Sequence, residues 1–308
     1  MDYGKILQRA FTITIRHRAI WLFGILAVLF GQVFAQAPNG FRFIVPTRGA
    51  GALERLWFTL AAVDVWVDVL LAAIAFVLFI IGIFVRLFSR AAIIGMVNDV
   101  EKSESTNAGN GFSYGINNFL RLLAIYLVIW VPFLLVFAIL FAISLSPLLL
   151  LLNGQQGARV FGIAAAVALV LATVGLVIVV AILLSIAQEF IDRNCVLLGR
   201  GVFDSIGDGF RTVRNKFGPA ILMWLIMVGV GIIIGMLVFA VAAFLAAVVV
   251  VPAIVAWQAS SALAITLAII LGLPAFAVFV FLAALVDIFT TAAWTLAYLE
   301  ITTVGGLH

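Results

Sequence analysis

The sequence predicts an all-α membrane protein, a bundle of six transmembrane helices arranged as three similar hairpins. Three observations carry that expectation. Of 308 residues 66% are hydrophobic and 10% charged, with a mean hydropathy of +1.34, whereas a soluble domain is only about half apolar. The apolar residues collect in six runs, at roughly 20–36, 67–88, 120–145, 159–186, 219–247 and 264–298, and a hydrocarbon core about 30 Å thick takes about 20 residues of helix to cross. A segment also recurs three times, in register on Phe11, Phe112 and Phe210. The expectation is one membrane domain over 1–308, with no soluble domain beside it.

The first element is an amphipathic helix within YGKILQRAFTITIRHRAIWLFG (3–24). Lys5, Arg9, Thr12 and Arg16 form a polar stripe opposite Ile6, Leu7, Ala10 and Phe11. It leads into the first run. Ala35-Gln36-Ala37, after that run, has the small-residue pattern of a signal-peptidase site. The charged region ahead of it is unusually long for a signal, and the same pattern recurs twice where no cleavage is possible, so a retained helix is expected.

Asp64 and Asp68 precede or open the second run, four apart on one helical face and flanked by Trp57 and Trp66. The spacing suits a cation, but tryptophans at a membrane entry mark a solvated interfacial face, and no metal site is expected. Asp99, Glu101, Lys102 and Glu104, among Ser103, Ser105, Thr106 and Asn107, read as a solvated linker. The second copy, GNGFSYGINNFLRLLAIYLV (109–128), then enters the third run, its charge mainly Arg121.

The fourth run ends in Glu189, Asp192 and Arg193, which read as markers of where a helix leaves the bilayer, with a salt-bridged gate as the alternative. In the third copy, FDSIGDGFRTVRNKFGPAILMW (203–224), Phe203, Ile206, Phe210, Val213 and Phe217 share one helical face. Asp204, Asp208, Arg211 and Asn215 share the other. Gly231 with Gly235, and Ala264 with Ala268 and Gly272, offer small surfaces for close helix approach, inside the chain or to a partner helix.

The sixth run contains Asp287, the candidate intramembrane polar site. A carboxylate at mid-helix costs about 2.5–3.5 kcal/mol on insertion scales, so it is either a proton or cation site or a structural residue with a partner. The second reading is favoured, with the run breaking near Pro274 and Asp287 lying toward the cytoplasmic end, neutral or paired with an Arg of a basic loop.

Loop charge orients the chain. Lys5, Arg9, Arg16 and Arg18 precede the first run; Arg86, Arg90, Lys102 and Arg121 flank the second break; Arg193, Arg200, Arg211, Arg214 and Lys216 occupy the fourth. These are thirteen of the seventeen basic residues, which by the positive-inside rule places both termini in the cytoplasm. The repeats, approximately 3–100, 109–198 and 203–302, then share one orientation, and such parallel repeats are related by an axis near the membrane normal.

Reactive side chains are few. Cys195 is alone, His17 and His308 are the only histidines, and neither a disulfide framework nor a cysteine or histidine metal cluster can be built from them. No Walker loop, dinucleotide fingerprint or zincin helix is present. The expectation is no enzyme, no cofactor and no metal. The net charge of +4 sits beside apolar runs, where anionic lipid rather than nucleic acid explains it. Lys5, Arg9, Arg16, Arg211, Arg214 and Lys216 are the candidate lipid-headgroup contacts. A lipid-interacting protein or an accessory subunit of a membrane complex, with membrane-protein partners, is the leading expectation. The alternative is a transporter or channel for a small solute or ion, with Asp287 on its pathway.

SRAAIIGMVNDVEKSEST (89–106) with FSYGINNFLRLLAIY (112–126), VLLGRGVFDSIGDGFRTVRNKFGPAILMWLI (196–226) and TTAAWTLAYLEI (290–301) resemble a group of bacterial multi-pass membrane proteins. That group is similar to the membrane domain fused to some glycerophosphodiester phosphodiesterases. The resemblance covers most of the chain on degenerate motifs. It implies a six-helix domain of the bacterial inner membrane with cytoplasmic amphipathic helices. It carries over no catalytic residue, because the phosphodiesterase domain and its carboxylate and histidine cluster are absent from the sequence.

Overall fold

The computed structural model describes residues 2–31, 65–103, 105–152 and 156–303. These are helical almost throughout, with no strand among them. In chain order the helices are α1 (Tyr3–Arg16), α2 (Ala19–Gly31), α3 (Val65–Ser103), α4 (Ala108–Leu145), α5 (Gln156–Leu198), α6 (Val202–Asn215), α7 (Phe217–Trp257) and α8 (Ser261–Thr303). A 3-10 segment, Ser146–Leu152, follows α4. Trp57, Asp64, the Ala35–Ala37 motif and His308 lie outside the described residues, as do the side chains of Trp66 and Asp68.

Five helices, α3, α4, α5, α7 and α8, are long and apolar enough to cross a membrane. They contain the second to sixth apolar runs. The pair α1 and α2, bent by 94° where they meet, makes a sixth span if the two are taken together. None of the residues in the most apolar window of α5 or α7 is buried. Large side chains such as Phe239 and Leu171 lie exposed there, a surface that suits lipid and not water.

The helices outrun the apolar sequence. Residues Asp99, Glu101 and Lys102, expected in a linker, form the last turns of α3. Asp99 is held across the hairpin, where the Tyr114 hydroxyl donates to it at 2.8 Å and the Asn110 amide at 3.3 Å, and Glu101 pairs with Arg9 of α1. Asn107 starts α4 by accepting from the Asn110 N–H at 2.8 Å. The second amphipathic stretch therefore has no break before its span; 108–119 is continuous with α4. Nor does Pro274 interrupt the sixth run, which is one helix from Ser261 to Thr303. A transmembrane helix tolerates proline where its freed carbonyl finds other partners.

The chain forms two compact units, Met1–Phe119 with Leu225–His308, and Leu120–Trp224. In the first, α1 packs on α8, and α2 packs on both α3 and α8. Gly24 permits the α2–α8 contact: a Cβ there would lie 2.5 Å from Ile288 Cδ1 and 3.1 Å from the Ala284 carbonyl oxygen. Val28, Val280 and Ala284 extend it. Leu87 to Val100 of α3 and Ile288 to Ile301 of α8 are mostly buried, so the core of this unit gathers at one end of its long helices. Phe88 packs edge-on to Phe112 with centroids 5.1 Å apart, and Phe23 joins them.

In the second unit α5 packs on the 3-10 segment and on α6. Its buried stretch, Ile186 to Val196, ends at Gly199, whose φ of 62° is the left-handed conformation that stops a helix. There α6 turns back along α5, and Gly209 lets the helices approach until a Cβ would stand 3.2 Å from the Ile191 backbone.

Candidate functional site

The amphipathic segments share a packed face and an open aromatic face, and α1 and α6 carry a cationic face as well. In α1, Ile6, Ala10, Ile13 and Thr14 are buried, while Phe11 is 58% exposed and Ile15 is also open. In 108–119, Gly111, Gly115 and Asn118 are buried, and Phe112 and Ile116 are about half exposed or more. In α6, Ser205, Gly209 and Val213 are buried, while Phe203 is 76% exposed, with Phe210 and Phe217 open beside it. Ahead of each aligned phenylalanine stands a small buried residue, Ala10, Gly111 or Gly209. Small residues admit the neighbouring helix; Phe11 and Phe210 are left largely open, while Phe112, half exposed, also packs edge-on to Phe88 and Phe23. Such apolar area is stable beside lipid and costly in water.

The third face carries the cations. Lys5 is nearly fully exposed, 3.4 Å from Asp2, and Arg16 is exposed. Arg9 differs, being half-buried and paired with Glu101 at 3.2 Å. On α6, Arg211 is exposed and 3.9 Å from Asp208, whose carboxylate also pairs with Arg200. Arg214 is exposed, and Lys216 is half-buried, its N–H donating to the Thr212 carbonyl at the end of α6 at 2.9 Å. Five of the six expected headgroup cations therefore have no ion pair closer than 3.4 Å among the described residues.

The α1–α2 bend is held by the Trp21 indole, which donates to the Thr14 carbonyl at 2.7 Å. Arg18 lies 5.9 Å from the Trp21 ring centroid. Burial, and then the charges of Arg16 and Arg9, hold the His17 pKa below the ordinary histidine range.

Sequence reasoning missed a polar cluster inside the second unit. Asp192 and Arg193 are fully buried, with Gln188 and Asn194 nearly so. Gln188 donates to Asp192 at 2.7 Å and the Tyr126 hydroxyl lies 3.4 Å from the same carboxylate. Arg193 donates to both the Glu189 carbonyl, at 2.5 Å, and its carboxylate, at 2.7 Å. Glu189, Asp192 and Arg193 thus do more than mark a helix end. The available signal was spacing: Gln188 with Asp192, and Glu189 with Arg193, are each four apart, which pairs them on a continuous helix.

Asp287 is half-buried in α8, next to Ile288, at the level where Gly24 of α2 makes its close contact. It has polar or electrostatic company in the structure. Of the small-residue stripes, Ala264 is buried and Gly272 stands in contact range of Val249 on α7, so that stripe serves packing inside the chain. Gly231 and Gly235 meet nothing within 4 Å.

Comparison with family models, with curated proteins and with solved structures returned no match.

Proposed function

We propose that the chain is a non-enzymatic membrane protein that binds anionic lipid through its interfacial segments and organises lipid or an associated membrane complex. In this reading six helices form three parallel hairpins in a bacterial inner membrane, with both termini cytoplasmic, as in the phosphodiesterase-linked membrane domains that the sequence resembles. The observation that carries it is the recurring segment: one face packed on small residues and one aromatic and open, joined in α1 and α6 by a cationic, exposed face. Phe11, Phe112 and Phe210 take equivalent places in this pattern, which supports the threefold repeat.

The energetics suit the reading. Each Lys or Arg near an anionic leaflet contributes about 1 kcal/mol, and the aromatic faces add hydrophobic insertion. Extraction under mild detergent, followed by lipid analysis, tests it. Anionic phospholipid is expected to be enriched over the bulk membrane, and Arg211→Gln, Arg214→Gln and Lys216→Gln together are expected to reduce that enrichment. Bulk composition in the wild-type extract would sink the proposal.

A solute pathway through Asp287 is a second reading, favoured by one feature: an acidic residue stands inside the long apolar helix α8 and is only half-buried there. Cysteine-accessibility scanning along α8 tests it, and reagent access limited to the helix ends would dismiss it.

A further inference from the structure

The last turns of α1 and the residue that follows them close a small pocket, about 90 Å³, against α3. Arg9, Arg16 and His17 line it with Thr12 and Ile13, and Val100 of α3 forms its apolar side. We propose that this pocket binds a phosphate monoester, carried by a membrane lipid or by a soluble compound. The inference deepens the lipid reading above by giving α1 one discrete site, and rests on that reading for lipid as the source.

The helix repeat brings the cations together. Arg9, Ile13 and His17 follow one another at four-residue steps, as do Thr12 and Arg16, so all five share one face of α1 and its end. Among the described residues no acidic side chain lines the pocket. Glu101, next to Val100, accepts from the Arg9 Nε at 3.2 Å, which leaves the other guanidinium donors of Arg9 for a ligand. Arg16 is exposed and has no ion pair among the described residues. Thr12 gives its hydroxyl proton to the Gln8 carbonyl at 2.9 Å, so the donors that face a ligand are those of Arg9, Arg16 and His17.

These three groups disfavour one another's charge. Burial first, and then Arg16 and Arg9, lower the His17 pKa, and an anion among them reverses that balance. The C-terminal end of a helix ordinarily repels anions through its free carbonyls. Here those carbonyls are engaged: Ile13 accepts from the His17 N–H at 3.2 Å, Thr14 from the Trp21 indole at 2.7 Å and His17 from the Ile20 N–H at 3.1 Å.

A monoester fits the charges better than a diester. It ends in three free oxygens and carries about −1.5 to −2 at pH 7, whereas a diester carries a single charge and a substituent on two sides. Arg16 answers one charge with its paired donors, and the second draws a proton onto His17. A pocket of this size takes the phosphate group and leaves the rest of the ligand outside.

The test uses the full-length protein with labelled histidine rings in phosphatidylcholine discs, and reads the titration of His17 by NMR; His17→Gln identifies its signal. One arm adds phosphatidic acid, a monoester. A second adds phosphatidylglycerol, a diester, matched in surface charge near neutral pH. A third adds soluble glycerol 3-phosphate to the neutral discs. Phosphatidic acid is expected to raise the proton affinity of His17 about tenfold more than phosphatidylglycerol does, the effect of one opposite charge at close range. Arg16→Gln removes a like charge, so it is expected to raise that affinity in neutral discs and to abolish the difference between the two anionic lipids. A comparable rise with glycerol 3-phosphate supports the pocket and assigns it a soluble ligand; a rise with phosphatidic acid alone supports it and assigns it lipid.

Equal rises in the two anionic discs, with no response to glycerol 3-phosphate, would overturn the proposal, as would a difference that survives in Arg16→Gln. That failure with anionic enrichment intact removes the pocket alone; a response to glycerol 3-phosphate without anionic enrichment removes the broader reading alone.

Discussion

Gly209 of α6 lies against Ile191 of α5 so closely that a side chain at 209 would collide with Ile191 and press on its backbone. This contact lets α6 lie flat on α5 with Phe203 and Phe210 facing away. Gly209→Ala should lower stability by about 1–3 kcal/mol, the usual cost of overpacking a tight contact. Gly207→Ala, at a glycine with nothing within 4 Å, should be neutral or stabilising because alanine favours the helix. Thermal unfolding in detergent compares the two.

Arg193 is fully buried and its carboxylate partner Glu189 is mostly so. Glu189→Ala should destabilise the protein by about 2–4 kcal/mol, since it takes a carboxylate partner from a buried charge. Replacing both, as Glu189→Gln with Arg193→Met, should recover part of that loss. A double-mutant cycle read by unfolding midpoints measures the coupling.

His17 gives a pH dependence of defined sign. Its pKa is lowered in the folded chain by burial and by Arg16 and Arg9, so protons bind the unfolded form in preference. Its contribution should be constant above the ordinary value of 6.5 and should turn destabilising as pH falls through and below it. Melting curves between about pH 5 and about pH 7.5 should show this slope, and His17→Gln should flatten it.

Asp287 separates lipid binding from solute passage. On the lipid reading, Asp287→Asn leaves anionic enrichment unchanged, because the residue is remote in sequence from the interfacial cations and sits where α8 meets α2. Lipid analysis of the purified variant checks this.

The spans were legible because hydropathy is a sum over many residues: the second to sixth runs each fall inside one long helix. Their ends were not. The apolar run 67–88 stops where charge begins, yet α3 continues to Ser103, with Asp99 held by Tyr114 and Asn110. That partnership spans a hairpin and leaves no local trace. Arg193 reads in sequence as a boundary marker and is buried; its four-residue spacing from Glu189 is local, but spacing alone does not show burial. The aromatic faces were legible from helical periodicity, but which face packs was set by glycine and alanine, whose small size carries little pattern of its own. Arg9, Arg16 and His17 were legible as basic residues of one stretch; the pocket they share depends on Val100 of α3 as well.

The central claim is electrostatic attachment to anionic lipid, and salt-dependent stability tests it most directly. Purified protein in discs of neutral lipid and of neutral lipid with anionic phospholipid should be compared at low and high ionic strength. Higher stability in the anionic discs is predicted, shrinking in high salt and in the Arg211→Gln, Arg214→Gln, Lys216→Gln variant. Equal stability in both lipids at low salt would contradict it.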